Sequence, residues 1–269
     1  MRRLFPPSAE DTGTAGLSPF EDRAWDLDEL ADAYAYPARP EQAGAGGGWL
    51  RANMVSSLDG AAYHDGRSRA LSSDADMRIF GVLRGLADAV VVGAGTVRAE
   101  GYRPARAREA FAARRAALGQ PPTPVIAVVS ARLDLDFDRP LFTEALVPTI
   151  LVTGAQAPAD RLAAARAVGA EVVVAGEGAR VDPARVVAAL AGRGLTRLLT
   201  EGGPRLLGQF VAAGVLDELC LALAPLVTAG DAARIANGPG LAVPDRFSLT
   251  SVVEEEGFLF ARYSRDRLG

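Results

Sequence analysis

The sequence is poor in the residues that build disulfides, metal sites and nucleophile–base pairs. It holds one cysteine, Cys220, and one histidine, His64, in 269 residues. A single cysteine excludes a disulfide within the chain and fits a reducing, cytoplasmic compartment. Because Cys220 sits in the apolar run ELCLALAP, we interpret it as a small buried hydrophobic residue. His64 lies in the turn-like stretch AAYHDGRS, which favours a loop role. We therefore expect no metal site, since zinc needs several such ligands.

Long apolar runs and an excess of positive charge are also missing. No apolar segment opens the chain and none reaches the roughly 18 residues of a membrane span, so we expect neither export nor membrane insertion. The formal net charge of −4 argues against nucleic acid as a main partner. The arginines of RPARAREAFAARRAALG are typical of a solvated helix face. The composition is that of an ordinary globular protein, in which a local basic patch could still bind a small phosphate.

The chain divides into an extension and one domain. Residues 1–48 combine prolines, a short helical segment, DLDELADAY, and a glycine-rich linker, so we predict an N-terminal extension there and a single domain over 49–269. In that domain, apolar strands alternate with amphipathic helices; the first helix places Met77, Phe80 and Leu83 at helical spacing. The final strands, FSLTSVVEEEG and FLFARYS, have no helix between them. This pattern predicts an α/β fold with a mixed, mostly parallel central sheet flanked by helices and with antiparallel C-terminal strands.

Four strand ends carry small, hydroxyl-bearing or charged residues. In open α/β sheets ligands bind beyond the carboxyl ends of the strands. The segments are SSLDGAA, VVVGAGTVRAEG, VVSARLD and LLTEGGP, and their candidate residues are Ser57, Asp59, Gly93, Gly95, Thr96, Glu100, Ser130, Arg132, Glu201, Gly202 and Gly203. The helix N-terminus that follows the last glycine pair would offer N–H donors to a pyrophosphate, and Ser130 with Arg132 would suit a ribose 2′-phosphate. The set predicts a long phosphate-bearing ligand, with ordinary turns as the alternative.

Three blocks give the chain a family resemblance. They are SSLDGAA, LSSDADMRIFGVLRGLADAVVVGAGTVRAE and LLTEGGPRLLGQFVAAGVLDELCLALAP, and they cover most of the chain from Trp49 to Val227. In these blocks the chain resembles the reductase domain of the bacterial bifunctional riboflavin-biosynthesis deaminase–reductase. The resemblance implies a dihydrofolate-reductase-like fold, a homodimer, and NADPH-dependent reduction of 5-amino-6-(5-phosphoribosylamino)uracil to its ribityl form.

The resemblance also implies roles for individual residues. On the cofactor side it implies NADP contacts for Thr96 and Glu100 (the family usually has Asp at the latter position), an adenosine-end contact for Ser130, and a pyrophosphate seat at Gly202 and Gly203. On the substrate side it implies Ser68, Arg84 and Glu201, and we add Ser57. One arginine should bind the substrate phosphate, and Arg106 is our choice among Arg103, Arg106 and Arg108, which fit the family register poorly.

Departures from the family pattern leave the reaction open in part. Ala70 stands where the family often has tryptophan, and the zinc deaminase half has no counterpart in the sequence. Glu201 is our candidate for orientation or proton transfer, and Asp59 is the second choice, with a turn-stabilising role as its alternative. Arg84 either faces a phosphate or forms a surface ion pair. A dihydrofolate or pterin reductase on the same fold and a non-catalytic NADP-binding module are the alternative functions.

Overall fold

The computed structural model describes residues 1–5, 25–37 and 46–266, and one sheet runs through this part of the chain. Its strands are β1 (Arg2–Phe5), β2 (Trp49–Ser56), β3 (Ala89–Gly93), β4 (Val125–Val129), β5 (Ile150–Thr153), β6 (Glu171–Val174), β7 (Arg197–Thr200), β8 (Glu218–Leu223), β9 (Phe247–Glu255) and β10 (Phe258–Arg265). The helices are α1 (Leu27–Ala33), α2 (Asp74–Leu86), α3 (Ala94–Glu100), α4 (Glu109–Ala117), α5 (Pro140–Thr143), α6 (Ala159–Ala167), α7 (Pro183–Ala191) and α8 (Pro204–Ala212).

The strand order is β1-β9-β10-β8-β2-β7-β3-β4-β5-β6. From β8 to β6 every neighbouring pair is parallel, as expected where helices connect successive strands. Strands β1, β9 and β10 add antiparallel pairs at the other end, and β8 joins the two parts. The mixed, mostly parallel sheet with antiparallel C-terminal strands is therefore confirmed.

Alternation along the central strands produces a core on each face of the sheet. On β3, Val90 and Val92 belong to the cluster that includes residues of α2 and α4, whereas Ala89 and Val91 belong to the cluster that includes α7 and α8. All four side chains are fully buried. A strand covered on both faces needs apolar residues at every position, and this explains the uninterrupted AVVV run.

The described parts of the predicted extension pack on the domain. Strand β1 pairs with β9, and α1 begins with an Asp26–Glu29 capping box and buries Leu30 and Ala31. Residues 6–24 and 38–45, which include part of the predicted glycine linker, lie outside the described residues.

Buried charges meet the C-terminal end of α1. The Arg51 guanidinium is fully buried, donates to the Tyr34 carbonyl (2.7 Å) and lies 2.9 Å from the Glu218 carboxylate. Arg262 donates to the Ala33 carbonyl and to the same carboxylate. The two arginines thus satisfy carbonyls that a helix end leaves without partners. Burial opposes ionisation of Glu218, but the two arginines prevail and hold its pKa below the usual value.

Two details differ from the sequence pattern. The stretch after β3 was expected as a strand-end loop but forms the helix α3, which ends at Gly101 with φ of +63°. On α2, Met77 and Phe80 line cavities and do not point into the hydrophobic core. Ile79, Val82 and Leu83 are the residues of this helix that are buried in the core. In the described ranges, none of the helices is long and apolar enough to span a membrane.

Candidate active site

The sheet order brings the four predicted strand ends side by side. Strands β2, β7, β3 and β4 are consecutive neighbours, and all four run parallel. The segments after β3 and β7 are hydrogen-bonded to each other, since the Gly93 amide donates to the Gly202 carbonyl (3.0 Å). The expectation that these segments share one edge of the sheet is confirmed.

Glu201, directly after β7, is a carboxylate at this edge with hydrogen bonds to both of its oxygens. Its oxygens accept two hydrogen bonds from the Arg84 guanidinium, at 2.6 and 2.7 Å, and a third from the Tyr102 hydroxyl. The Glu201 side chain is 5% exposed and that of Arg84 is 24% exposed. The guanidinium also lies over the Phe80 ring, 4.4 Å from its centroid. This bidentate geometry fixes both side chains, and arginine alone among the basic residues provides it.

The electrostatics of Arg84 favour a stable ion pair. Burial opposes its charge, but the Glu201 carboxylate outweighs burial and raises the pKa of Arg84 above its usual value. Of the two roles expected for Arg84, an ion pair is observed, at a partly buried position and not on the open surface, and the phosphate contact stays a prediction.

The glycine pair after Glu201 lies against α3. A Cβ at Gly203 would stand 2.6 Å from the Thr96 hydroxyl oxygen, so that no larger residue fits there without displacement. Gly202 has φ of +82°, which favours glycine, and α8 starts at Pro204. The peptide between the two glycines is cis. Gly203 lines the cavity in front of α8, whereas Gly202 is buried and its amide donates to the Thr200 hydroxyl at 3.2 Å.

A cavity of about 370 Å³ lies in front of these groups. It gathers the predicted residues Ser68, Gly95, Thr96, Glu100, Glu201 and Gly203. Ser68, expected on the substrate side, donates through its amide and hydroxyl to the Glu100 carboxylate, expected on the cofactor side, at 3.2 and 3.1 Å. The two sets of residues therefore meet at one cavity.

Ser57 and Asp59 lie in a tight turn and are not among the described residues that line this cavity. The buried Ser57 hydroxyl donates to Asp59 at 2.5 Å, and Asp59 also accepts from the backbone amides of Thr228 and Ala229. These hydrogen bonds, that of Ser57 first, lower the pKa of Asp59 to about 2. The contacts match the turn-stabilising alternative, and no observed contact supports proton transfer by Asp59.

Ser130 and Arg132 follow β4 at some remove from the glycine pair. The buried Ser130 hydroxyl accepts from the Leu133 amide at 3.0 Å and so shapes its own turn. Arg132 is exposed and lines a second cavity, of about 730 Å³, which touches Val97 and Arg98 of α3. The first cavity touches Thr96 and Glu100 instead, so the two cavities adjoin different faces of α3.

Arg106 belongs to a third cavity, of about 610 Å³, which adjoins α2. Arg84, Arg103 and Arg108 line it as well. The Arg108 guanidinium lies across Gly81, where a Cβ would stand 1.9 Å from its Nη1 atom. The structure thus brings together the three arginines that the sequence could not rank.

Sequence reasoning missed Tyr102, Phe80 and Asp76, all of which line the first cavity. A signal for two of them was present. Asp76, Phe80 and Arg84 follow one another at intervals of four, which places them on one face of α2. Tyr102 follows the end of α3 and carries no comparable pattern.

Comparisons with known proteins agree with this geometry. The model of the RibD C-terminal domain matches residues 48–254. The chain belongs to the RibD C-terminal domain family. A relative from Methanothermobacter thermautotrophicus, named 2,5-diamino-6-ribosylamino-4(3H)-pyrimidinone 5′-phosphate reductase, is 35% identical over 70% of this chain and 83% of its own length. A protein of the same name from Archaeoglobus fulgidus is 27% identical over 79% of this chain and 97% of its own length.

Among solved structures, a pyrimidine reductase-like protein from Corynebacterium diphtheriae superposes with a TM-score of 0.78 and 28% identity. It covers 88% of this chain and 98% of its own. The resemblance that the sequence predicts is therefore confirmed. The Arg84–Glu201 pair and the glycine pair lie within the residues that the family model matches.

Proposed function

We propose that the protein is an NADPH-dependent reductase of a 5′-phosphorylated ribosylamino-pyrimidine, which it converts to the ribityl form. The observation that carries the proposal is the Arg84–Glu201 ion pair at a cavity that Gly203 and the N-terminus of α8 also line, in a chain 35% identical to a named pyrimidinone phosphate reductase. The sequence resemblance favours 5-amino-6-(5-phosphoribosylamino)uracil as substrate, whereas the named stand-alone relatives favour its 2-amino counterpart.

The cofactor would lie along the glycine-bearing strand ends. Gly202, Gly203 and the first turn of α8 would receive the pyrophosphate, because Gly203 and Pro204 line the first cavity and a helix N-terminus offers backbone N–H donors. Gly93, Gly95 and Thr96 would flank the nicotinamide. We assign the adenosine end to Ser130 and Arg132, and we assign to Glu100, which lines the first cavity with Thr96, a contact to the nicotinamide half of the cofactor. NADPH supplies the hydride when it is bound.

The substrate would occupy the other side of Glu201. Opening of the sugar ring would break the C1–O bond, transfer the N–H proton to that oxygen and form a C1=N bond. Hydride addition at C1 would then require a proton on the nitrogen, and positioned groups must hold these atoms. Three accepted hydrogen bonds occupy the Glu201 carboxylate, so we assign it the orientation of Arg84 and Tyr102. Ser68 would contact the sugar. Ser57 and Asp59 would stabilise the tight turn that follows β2.

The phosphate end would reach the arginines of the third cavity. Arg106 is exposed, and no hydrogen bond or ion pair engages it among the described residues, so its charge is available to an anion. Arg103 and Arg108 line the same space. We further propose a homodimer in the cytoplasm, on the family resemblance and on the single cysteine.

The decisive experiment follows NADPH oxidation by absorbance with three compounds in turn: the uracil compound, its 2-amino counterpart and dihydrofolate. Turnover of either pyrimidine, with formation of its ribityl product, is the expected result. Turnover of dihydrofolate alone would replace the proposal with a pterin reductase. Tight NADPH binding without oxidation by any compound would indicate the non-catalytic module.

A further inference from the structure

Tyr102 lies where the first and third cavities meet. Four of the described residues line both cavities: Met77, Phe80, Glu100 and Tyr102. Met77 and Phe80 are apolar, and the exposed Glu100 carboxylate accepts a hydrogen bond from Ser68. A substrate with its phosphate among the arginines of the third cavity and its sugar at Ser68 in the first cavity therefore passes Tyr102.

The backbone and the ring of Tyr102 are both held in place. Gly101 ends α3 in the left-handed conformation, and the Tyr102 amide donates to the Val97 carbonyl at 3.1 Å. The ring lies beside the Arg84 guanidinium, whose central carbon is 5.3 Å from the ring centroid. These contacts keep the phenol hydroxyl directed at the Glu201 carboxylate, to which it donates.

Two side chains donate to Glu201 in the described structure, and only Tyr102 can exchange a proton with it. A guanidinium keeps its charge, and against the effect of burial the Glu201 carboxylate raises the pKa of Arg84 further. A phenol donates one proton and accepts another through its lone pairs. It does not remain as a phenolate here, because a second negative charge beside a carboxylate is unfavourable. Tyr102 therefore takes up a proton only as it passes its own to Glu201.

We infer, on the basis of the proposed function, that Tyr102 carries protons between Glu201 and the sugar end of the substrate. In ring opening, the N–H proton of the ribosylamine passes to the Tyr102 oxygen while the Tyr102 proton passes to Glu201 Oε2. The electron pair left on nitrogen forms the C1=N bond, and the C1–O bond breaks. The ring oxygen keeps the electron pair of that bond and receives the proton by the same path in reverse.

Reduction at C1 uses the same path a second time. Hydride addition moves an electron pair of the C1=N bond to the nitrogen, which then needs one proton to become the product amine. Solvent protonates Glu201, and Tyr102 delivers this proton to the nitrogen. Arg84 favours the return of Glu201 to its carboxylate form, because its positive charge lies against that group.

The first test measures ring opening without cofactor. Opening and reclosure of the sugar ring interconvert the two C1 anomers, and NMR exchange spectroscopy with each phosphorylated pyrimidine measures that rate. Wild type should accelerate the exchange by at least about tenfold over buffer, and Tyr102→Phe and Glu201→Gln should each remove the acceleration. Tyr63→Phe removes another hydroxyl from the wall of the first cavity and should keep it.

The second test separates proton transfer from positioning. In single turnovers with NADPH, Tyr102→Phe should be about 10- to 100-fold slower than wild type, because general acid–base catalysis is lost. In that variant D2O should slow the reaction by at least about twofold, whereas deuterium at the transferred position of NADPH should slow it by less than about 1.5-fold. A hydroxyl that only positions Glu201 would give the reverse, because hydride transfer would become the slow step.

Anomer exchange that wild type does not accelerate, acceleration that persists in Tyr102→Phe, or the reversed isotope pattern would overturn the inference. NADPH affinity checks that each variant is folded. If Tyr102→Phe does not bind NADPH, Glu201→Gln provides the same two readouts, since it removes the other end of the path. Acceleration that depends on Tyr102 without oxidation of NADPH by either pyrimidine would sink the proposed reductase and leave the proton path standing.

Discussion

At the scale of single residues, arginine supplies every cationic side chain of this protein apart from its one histidine. The sequence contains no lysine, so all 29 basic residues are arginine. The planar guanidinium binds two carboxylate oxygens at once, and Arg84 does so with Glu201. Replacing Glu201 with glutamine keeps the size of the side chain and removes the carboxylate charge. This substitution therefore tests the ion pair with little change in packing.

We predict that Glu201→Gln lowers turnover by at least about tenfold, a loss of about 1.4 kcal/mol of transition-state stabilisation. The carboxamide cannot hold Arg84 by two charge-assisted bonds, so the guanidinium loses its fixed position. NADPH affinity, measured by fluorescence titration, should change little, because the cofactor is assigned to the glycine side. A parallel loss of cofactor affinity would place Glu201 in the cofactor site instead. Tyr102→Phe, which removes one of the three hydrogen bonds, is the graded control.

At the scale of elements, α1 depends on a buried ion network. Arg51 and Arg262 donate to its terminal carbonyls, and the Glu218 carboxylate forms an ion pair with each of the two arginines. Removing one member of a buried network leaves charges without a partner, which costs far more than losing an exposed pair.

We predict that Glu218→Gln destabilises the protein by about 3–5 kcal/mol, measured by urea unfolding. The control Glu171→Gln breaks an exposed pair with Arg193 and should cost at most about 1 kcal/mol. Because the pKa of Glu218 is lowered in the fold, its contribution is present above the ordinary glutamate value of 4.5 and disappears as pH falls through the lowered value. The gap between wild type and variant should therefore shrink in acid. A gap that widens in acid would contradict the assigned pairing.

The sequence predicts where helices and strands occur better than it predicts which side chains of a helix point into the core. Apolar runs identify the central strands because both faces of the sheet are covered, as at Val90 and Val91. Helix α3 was missed because its glycines at 93 and 95 indicate a turn, yet Gly93 is the N-cap and Gly95 faces open space. The facing of α2 was wrong at Phe80, since an aromatic ring on a helix packs equally well on a core or beside a ligand.

The site shows the same division. Strand-end residues such as Glu201 and Gly203 could be placed together from topology alone, because parallel strands end at one edge. The partners of Glu201 could not be inferred, since Arg84 and Tyr102 come from α2 and from the segment after α3. Side-chain contacts between elements far apart in sequence depend on packing that no local pattern encodes.

At the scale of the whole molecule, the net charge and the site have opposite signs. The chain carries −4, whereas Arg103, Arg106 and Arg108 surround one cavity. An anionic substrate is therefore repelled by the body of the molecule and attracted near this cavity, and both effects are screened by salt over about 10 Å.

We predict that raising NaCl from about 0.05 to about 0.5 M increases KM for the phosphorylated substrate by about three- to tenfold and leaves kcat nearly constant. Local attraction prevails at contact distance, so screening should weaken binding. Arg106→Gln should reduce both the affinity and its salt dependence. The binding of an unphosphorylated base, 2,5,6-triaminopyrimidin-4-one, measured in the same salts, should stay constant. A KM that does not change with salt would place the phosphate elsewhere.

The central position of β2 has a consequence for how the chain is made. Its neighbours are β7 and β8, and its residues Trp49 and Arg51 pair with Arg197 and Glu218. At a synthesis rate of about 5–20 residues per second, β2 waits roughly 10–30 s for its partners. Throughout that interval its apolar residues are exposed to solvent, so we expect the nascent chain to bind chaperones at the ribosome. The ligand edge forms at the ends of these same strands, and it is therefore among the last parts of the molecule to appear.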